Sequence, residues 1–170
     1  MGGMKARLAV IAALALGISA AAATAAPHGA SALRKFSYRG AGTNVVNIQT
    51  GELRELWKGR ANPFGKITTY VAGFIQRPTP ATLVVHASMV IVDPRADVLI
   101  GACTGSGTVP LPDGAEDWTC QARGGTGKFK RSRGQWTLHI DIHRVSNQNT
   151  TQKNRFTEKG AGRLSWNAGR

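Results

Sequence analysis

The chain has 170 residues and a formal net charge of +13, with 22 Lys and Arg residues against 9 Asp and Glu residues. Hydrophobic residues make up 42% of the chain and are spread along it, which excludes a disordered basic tail. The length fits one domain, and a domain of this size buries roughly two thirds of its surface without help from metals or partners.

The first 25 residues have the features of an export signal. Lys5 and Arg7 supply a positive start, an alanine-rich apolar stretch follows, and Ala23-Thr24-Ala25 has the small-x-small pattern of a signal-peptidase site. Cleavage between Ala25 and Ala26 is predicted, which lowers the net charge from +13 to about +11. An uncleaved membrane anchor is the alternative. The expected location is outside the cell or in the periplasm or cell envelope, with no transmembrane segment after signal removal.

After a flexible leader at residues 26–32, short strand-like runs alternate with glycine or proline breaks. Nine strands are predicted: Arg34–Gly40, Asn44–Gln49, Glu55–Arg60, Thr68–Ile75, Thr82–Val92, Asp97–Thr104, Trp118–Arg123, Gly134–Val145 and Gly162–Trp166. The polar stretch Val145–Lys153 is predicted to be an exposed loop. Because no helices are available to cover parallel crossovers, residues 33–170 are predicted to form one all-β domain with an antiparallel sheet.

The two cysteines are predicted to form a disulfide, since oxidation is the default in an exported chain. The turn Pro110–Gly114 separates two predicted strands and would place Cys103 and Cys120 opposite one another. Two buried free thiols are the alternative. A metal site is not indicated, because two Cys without neighbouring Cys or His partners cannot fill a tetrahedral shell.

The longest predicted strand alternates cleanly between two faces. One face carries Trp136, Leu138, Ile140 and Ile142, and the other carries Thr137, His139, Asp141 and His143. A metal site is one alternative for the second face, but the two histidines would lie about 13 Å apart along a strand. An acid–base pairing of Asp141 with a histidine is another, and it would require that face to turn inward. A solvated outer face is the preferred interpretation.

The densest basic cluster is predicted to be a solvated edge or an anion-binding patch. Its members are Arg123, Lys128, Lys130, Arg131 and Arg133, with no acidic residue between them. Cations at a sheet edge discourage strand addition, and they also attract anionic polymers and surfaces. Few aromatic residues lie nearby for base stacking, so sequence-specific nucleic-acid binding is not indicated.

The glycines before Lys128 do not form a nucleotide-binding loop. That motif needs a glycine where Ala122 stands and a Ser or Thr where Phe129 stands. No cofactor is predicted. Successive glycines allow positive φ and a sharp entry into a strand, so Phe129 is predicted to close one end of the fold while Lys128 points to solvent.

One motif carries a resemblance to a known family. Gly124-Gly125-Thr126-Gly127-Lys128-Phe129, resumed at Gly134, resembles exported bacterial proteins with the allene oxide cyclase and dirigent type of barrel. Weaker similarities lie at Gly59–Thr68 and Gly160–Trp166, and the chain departs from the family where Arg131-Ser132 replaces a usual Gly-Ala. The resemblance implies a closed antiparallel barrel of about eight strands and a trimer.

Three functions remain open on these grounds. The first is a non-enzymatic exported barrel that binds an anionic polymer or surface, or serves a structural role in the envelope. The second is a carrier of an apolar small molecule in the barrel lumen. The third is a cyclase or isomerase, by fold analogy alone. Relatives of this fold use charged residues inside the barrel, but no motif maps them onto this chain, so no catalytic residue is assigned.

Overall fold

The structure is a computed structural model and describes residues 32–167. Eight strands form one closed antiparallel barrel, in which each strand pairs with the next in the chain and the last pairs with the first. The strands are β1 (Arg34–Asn47), β2 (Glu52–Asn62), β3 (Gly65–Gln76), β4 (Thr82–Val92), β5 (Val98–Thr108), β6 (Asp113–Gly125), β7 (Gly134–Gln148) and β8 (Thr151–Leu164). The predicted closed all-β barrel is confirmed. The predicted cleavage site between Ala25 and Ala26 lies outside the described residues.

The alternation of the strands determines what fills the barrel. On β7 the apolar face is buried and the face with His139 and Asp141 is outward, as predicted. The interior of an eight-stranded barrel is just wide enough for side chains to fill. Here Trp57, Trp118 and Trp136 are fully buried in one continuous core.

The first two predicted strands are one strand, and the prediction of a break between them is wrong. Gly40 and Gly42 lie inside β1 against the Trp57 side chain. A Cβ on Gly40 would approach the Trp57 ring to 2.5 Å, so these glycines make room for the indole and do not end the strand.

The predicted loop Val145–Lys153 is also wrong for most of its length. β7 extends to Gln148 and β8 begins at Thr151, so only a tight turn separates them. Gln152 and Asn154 point inward and are buried, because this part of the barrel interior is polar. The prediction of exposure is confirmed for most of this stretch, in which Gln152 is the one buried residue, and only the loop conformation is wrong.

The predicted disulfide is confirmed. Cys103 and Cys120 are directly opposite on β5 and β6, with Cα atoms 4.0 Å apart and a bond between their Sγ atoms. Both are buried, so the bond crosses the inside of the barrel wall.

One end of the barrel is closed by aromatic rings. Phe129 is fully buried and its ring packs against Phe64 at 4.9 Å between centroids, and Phe64 packs against Trp166 at 5.0 Å. The prediction that Phe129 closes one end is confirmed. At Gly134, φ is 126° and a Cβ would lie 2.1 Å from the Arg163 carbonyl oxygen, so glycine is required where β7 begins beside β8.

Lys128 does not point to solvent, and that prediction is wrong. A single 3₁₀ turn at Gly127–Phe129 folds its side chain back over the barrel end, where the ammonium pairs with the buried carboxylate of Asp93. The Nζ atom also lies 4.6 Å from the centroid of the Phe64 ring and 5.1 Å from that of Phe129. A buried carboxylate needs a counter-charge, and Lys128 is the side chain that supplies it.

Within residues 32–167 no helix is long and apolar enough to cross a membrane.

Candidate functional site

Three glutamates project into the barrel. Glu55 on β2, Glu116 on β6 and Glu158 on β8 are all buried, each in phase with the inward apolar residues of its strand. Glu116 and Glu158 both lie opposite Ile140 in the strand register, one on each side of it. We call these three side chains the carboxyl cluster.

Glu55 ends a chain of hydrogen bonds that starts at the end of the barrel opposite the aromatic rings. Arg77 donates to Gln152 Oε1 at 3.3 Å, and Gln152 Nε2 donates to Asn154 Oδ1 at 2.9 Å. Asn154 Nδ2 donates to Asn44 Oδ1 at 2.6 Å, and Asn44 Nδ2 donates to Glu55 Oε1 at 3.2 Å. The chain fixes the orientation of each amide and leaves Glu55 Oε2 without a partner.

Burial makes these carboxyls weak acids. Burial raises the pKa of Glu55 from 4.5 to about 8, with repulsion from Glu116 adding to it and the Asn44 bond opposing it. Burial also raises the pKa of Glu116 to about 7, although the Trp118 Nε1–H donates to its Oε2 at 2.7 Å and lowers it. At neutral pH the cluster therefore holds protons.

Glu158 is the weakest acid of the three. Burial, followed by repulsion from Glu55, raises its pKa to about 9, and neither of its oxygens has a hydrogen-bond partner. Burial and the nearby Glu158 also raise the pKa of the Tyr38 hydroxyl. Among residues 32–167 no Lys or Arg is buried, so no cation inside the barrel compensates these acids. The lumen is thus a packed interior that can donate protons.

The outside of the same wall is strongly positive. The outward side chains of β8, β1 and β2 include nine cations: Lys35, Arg39, Arg54, Lys58, Arg60, Lys153, Arg155, Lys159 and Arg163. The one outward acid on these three strands is Glu52, and it pairs with Arg54 at 2.6 Å. We call this surface the basic face.

The strand register aligns cations of the basic face with one another. Arg39 on β1 lies opposite Arg60 on β2 and opposite Lys159 on β8. Lys35 lies opposite Arg163 in the same way. Like charges directly opposite on an antiparallel pair destabilise the sheet. Arg39, Arg60 and Lys159 make no ion pair with any described residue, so their charges are available to a partner.

Two adjoining depressions lie on the basic face. The first, of about 620 Å³, is lined by Arg39, Arg60 and Lys159 together with Ser37 and Asn62. The second, of about 490 Å³, shares Ser37 and Asn62 and adds Lys35 and Arg163. Ser37 and Ala161, which are small and outward, lie between the two groups of cations and form the floor. We call the two depressions together the groove.

The basic cluster predicted from the sequence lies elsewhere, at the end of the barrel that the aromatic rings close, which we call the plugged end. Lys130, Arg131 and Arg133 are exposed in the connection between β6 and β7, and Arg123 is exposed near the end of β6. Lys128 is the member whose ammonium is paired. The backbone N–H of Ser165 donates to the Arg133 carbonyl at 2.8 Å, so Arg133 adjoins the end of β8.

The His and Asp residues of β7 lie on the outer surface. His139 lies between Asp117 and Asp141, at 2.7 Å and 3.2 Å, and the Asp117 hydrogen bond raises its pKa above 6.5. His143 bonds Asp113 at 2.7 Å. Over the described part of the chain, no group of three or more His, Cys, Asp or Glu is arranged to hold a metal ion.

The sequence held a signal for the carboxyl cluster. Glu158 follows Phe156 at the two-residue period and Glu55 stands between Leu53 and Trp57, so each acid occupies an inward position of its strand. An acid in phase with the core is the pattern that identifies a buried carboxyl. The groove had no such signal, because its cations come together only through the register of three strands.

Searches of protein-family models, of curated proteins and of solved structures find no match to this chain.

Proposed function

We propose that this protein is an exported, non-enzymatic barrel that binds an anionic polymer of the cell envelope or its surroundings through the basic face. The observation that carries the proposal is the distribution of charge on β8, β1 and β2. Nine outward cations share that surface with one outward acid, and several of them face each other across strands at a cost in stability.

The character of the surface between the cations narrows the partner. None of the outward side chains of β8, β1 and β2 is aromatic, which removes the stacking platform that single-stranded nucleic acid uses. The outward neutral side chains of β1, β2 and β8 that line the groove are small or polar, namely Ser37, Ala161 and Asn62. The exposed apolar side chains of the face, Val45 and Leu56, lie outside the groove. A hydrated, flexible polyanion fits this surface best.

The proposal is tested by retention on a heparin column, measured as the salt concentration that elutes the protein. The face variant carries Lys58→Glu, Lys153→Glu and Arg155→Glu. The matched control carries Lys130→Glu, Arg131→Glu and Arg133→Glu, which changes the net charge by the same amount. We expect the face variant to elute at far lower salt than the control, because attraction depends on the local potential.

The outcomes separate three explanations. Equal losses in the two variants would show that only net charge matters. Unchanged retention in the face variant would contradict the proposal outright. A loss confined to the control would move the binding surface to the cluster at the plugged end.

A second candidate function is favoured by the carboxyl cluster. Buried acids of raised pKa are typical of sites that transfer protons, so the second candidate is an isomerase-like activity whose substrate enters between the side chains that fill the lumen. Native mass spectrometry of the protein purified from its own host tests this candidate by looking for small molecules bound in the barrel. A bound compound that is lost on Glu158→Gln would support it, and protein of the bare mass in every preparation would count against it.

A further inference from the structure

We propose that the groove is a binding site for successive phosphate groups of one polymer chain, with Arg39, Arg60 and Lys159 holding one phosphate and Lys35 and Arg163 holding another. This inference rests on the proposed function and specifies its ligand. It depends on the register of β2, β1 and β8, which brings together cations that are far apart in sequence.

The first subsite has the donors that a phosphate group requires. Two guanidinium groups and one ammonium group, from three adjacent strands, line one depression of about 620 Å³. Strands lie about 4.8 Å apart, so the cations approach a central anion from different sides. A phosphate presents oxygens in several directions and accepts the planar fork of Arg through two of them. A carboxylate has two oxygens in one plane and is satisfied by a single Arg.

Neutral donors complete this subsite. Ser37 and Asn62 are opposite one another on β1 and β2 and line both depressions. A hydroxyl and an amide at that point can donate to the oxygens of a bridging segment between two phosphates. These two side chains therefore link the subsites into one continuous groove.

The second subsite is the reason for inferring that the ligand is a polymer. Lys35 and Arg39 are four residues apart on β1, which is about 13 Å along a strand, so each can hold a phosphate of its own. Arg163 donates to the Leu33 carbonyl at 3.1 Å, which holds its guanidinium beside Lys35 at the end of the groove. A chain with repeated phosphates can occupy both subsites at once and gain from the high effective concentration of the second.

The experiment compares two triple variants of the chain, produced with its own export segment. The groove variant carries Arg39→Gln, Arg60→Gln and Lys159→Gln, and the matched control carries Lys58→Gln, Lys153→Gln and Arg155→Gln. Each loses three charges from the basic face, but the control residues lie outside both depressions. Titration calorimetry measures the binding of linear polyphosphate, polygalacturonate, duplex DNA and inorganic phosphate, and thermal unfolding verifies that both variants are folded.

We expect the groove variant to bind polyphosphate about 100-fold more weakly than the unaltered chain, and the control only about threefold more weakly. Polygalacturonate should bind both variants with similar affinity, because its carboxylates are attracted by the overall positive potential of the basic face and do not depend on the groove. Inorganic phosphate should bind the unaltered chain far more weakly than polyphosphate does.

Each contrary result overturns a distinct part of the inference. Equal losses of polyphosphate binding in both variants would remove the groove and leave the proposed function in place. Inorganic phosphate binding as tightly as polyphosphate would make the site one for a single phosphate. Tighter binding of duplex DNA than of polyphosphate would replace the ligand with nucleic acid. If the unaltered chain binds none of these polymers, the proposed function fails as well.

Discussion

The two sides of the β8–β1–β2 wall carry ionisable groups of opposite kind, acids inside and cations outside, and these groups differ in their surroundings. On β8, Glu158 points into a packed interior while its neighbour Lys159 points into solvent. The inner acid is desolvated and keeps its proton, whereas the outer cation is exposed to solvent. The alternation of a β-strand thus separates a region that determines stability from a region suited to binding. The predictions below test that separation.

The largest effect comes from the titration of the carboxyl cluster. Because the folded-state pKa values of Glu116, Glu55 and Glu158 are raised to about 7, 8 and 9, the folded chain retains protons that the unfolded chain releases above about 4.5. The stabilising contribution of the protonated acids is full below about pH 4.5 and is lost as the pH rises through the folded values. The free energy of unfolding should fall by on the order of 10 kcal/mol between about pH 5 and about pH 9.

Urea unfolding followed by tryptophan fluorescence measures this profile, since three tryptophans lie inside the barrel. Glu158→Gln is the matched variant, because it keeps the shape and removes the charge, and its profile should be flatter. A free energy of unfolding that is constant or increasing over this pH range would show that the interior is open to water.

The disulfide should have the next largest effect, and only on stability. It closes a loop of 17 residues between β5 and β6, away from the basic face. The double variant Cys103→Ala with Cys120→Ala should lower the free energy of unfolding by about 3 kcal/mol. Polyphosphate affinity of the folded variant should be unchanged. A large loss of affinity at full folding would show that the lumen and the groove are coupled.

A methyl group added inside the barrel should lower the free energy of unfolding more than a neutral substitution on its outer surface. A Cβ on Gly105 would lie 2.2 Å from Trp118 Cδ1 and 2.8 Å from the Asp117 carbonyl oxygen. Gly105→Ala should therefore destabilise the protein by about 1–3 kcal/mol. Ser106→Ala, one residue along on the exposed face, should change stability by less than about 0.5 kcal/mol. Equal effects in thermal unfolding would mean that Trp118 is loosely packed.

The same separation explains which features could be predicted from the sequence. The fold, the disulfide and the packing of Phe129 at one end of the barrel follow from short-range patterns. These patterns are the two-residue alternation of the strands, a turn between the two cysteines and the successive glycines before Lys128. The register of β1 with β2 and β8 is a long-range property, so the meeting of Arg39, Arg60 and Lys159 could not be predicted. The sequence does not indicate the ion pair of Lys128, because its partner Asp93 lies on a different connection of the barrel.

The smallest effect should be a gain in stability from removing an outer charge. Lys159 lies opposite Arg39 on β1, so it faces a like charge across the strand pair. Lys159→Gln should raise the free energy of unfolding by a few tenths of a kcal/mol at low salt, and the gain should vanish at high salt.

Saturating polyphosphate should make the unaltered chain more stable than Lys159→Gln. A ligand that binds only the folded state stabilises it more the tighter it binds, and the unaltered chain should bind polyphosphate more tightly. Thermal unfolding of both proteins, with and without the polymer, measures the two differences in one experiment. Thr157→Ser, on the same outward side of β8, is the control and should respond to neither salt nor polymer. If Lys159→Gln is the less stable protein at low salt without polymer, its ammonium has a stabilising partner and is not held for a ligand.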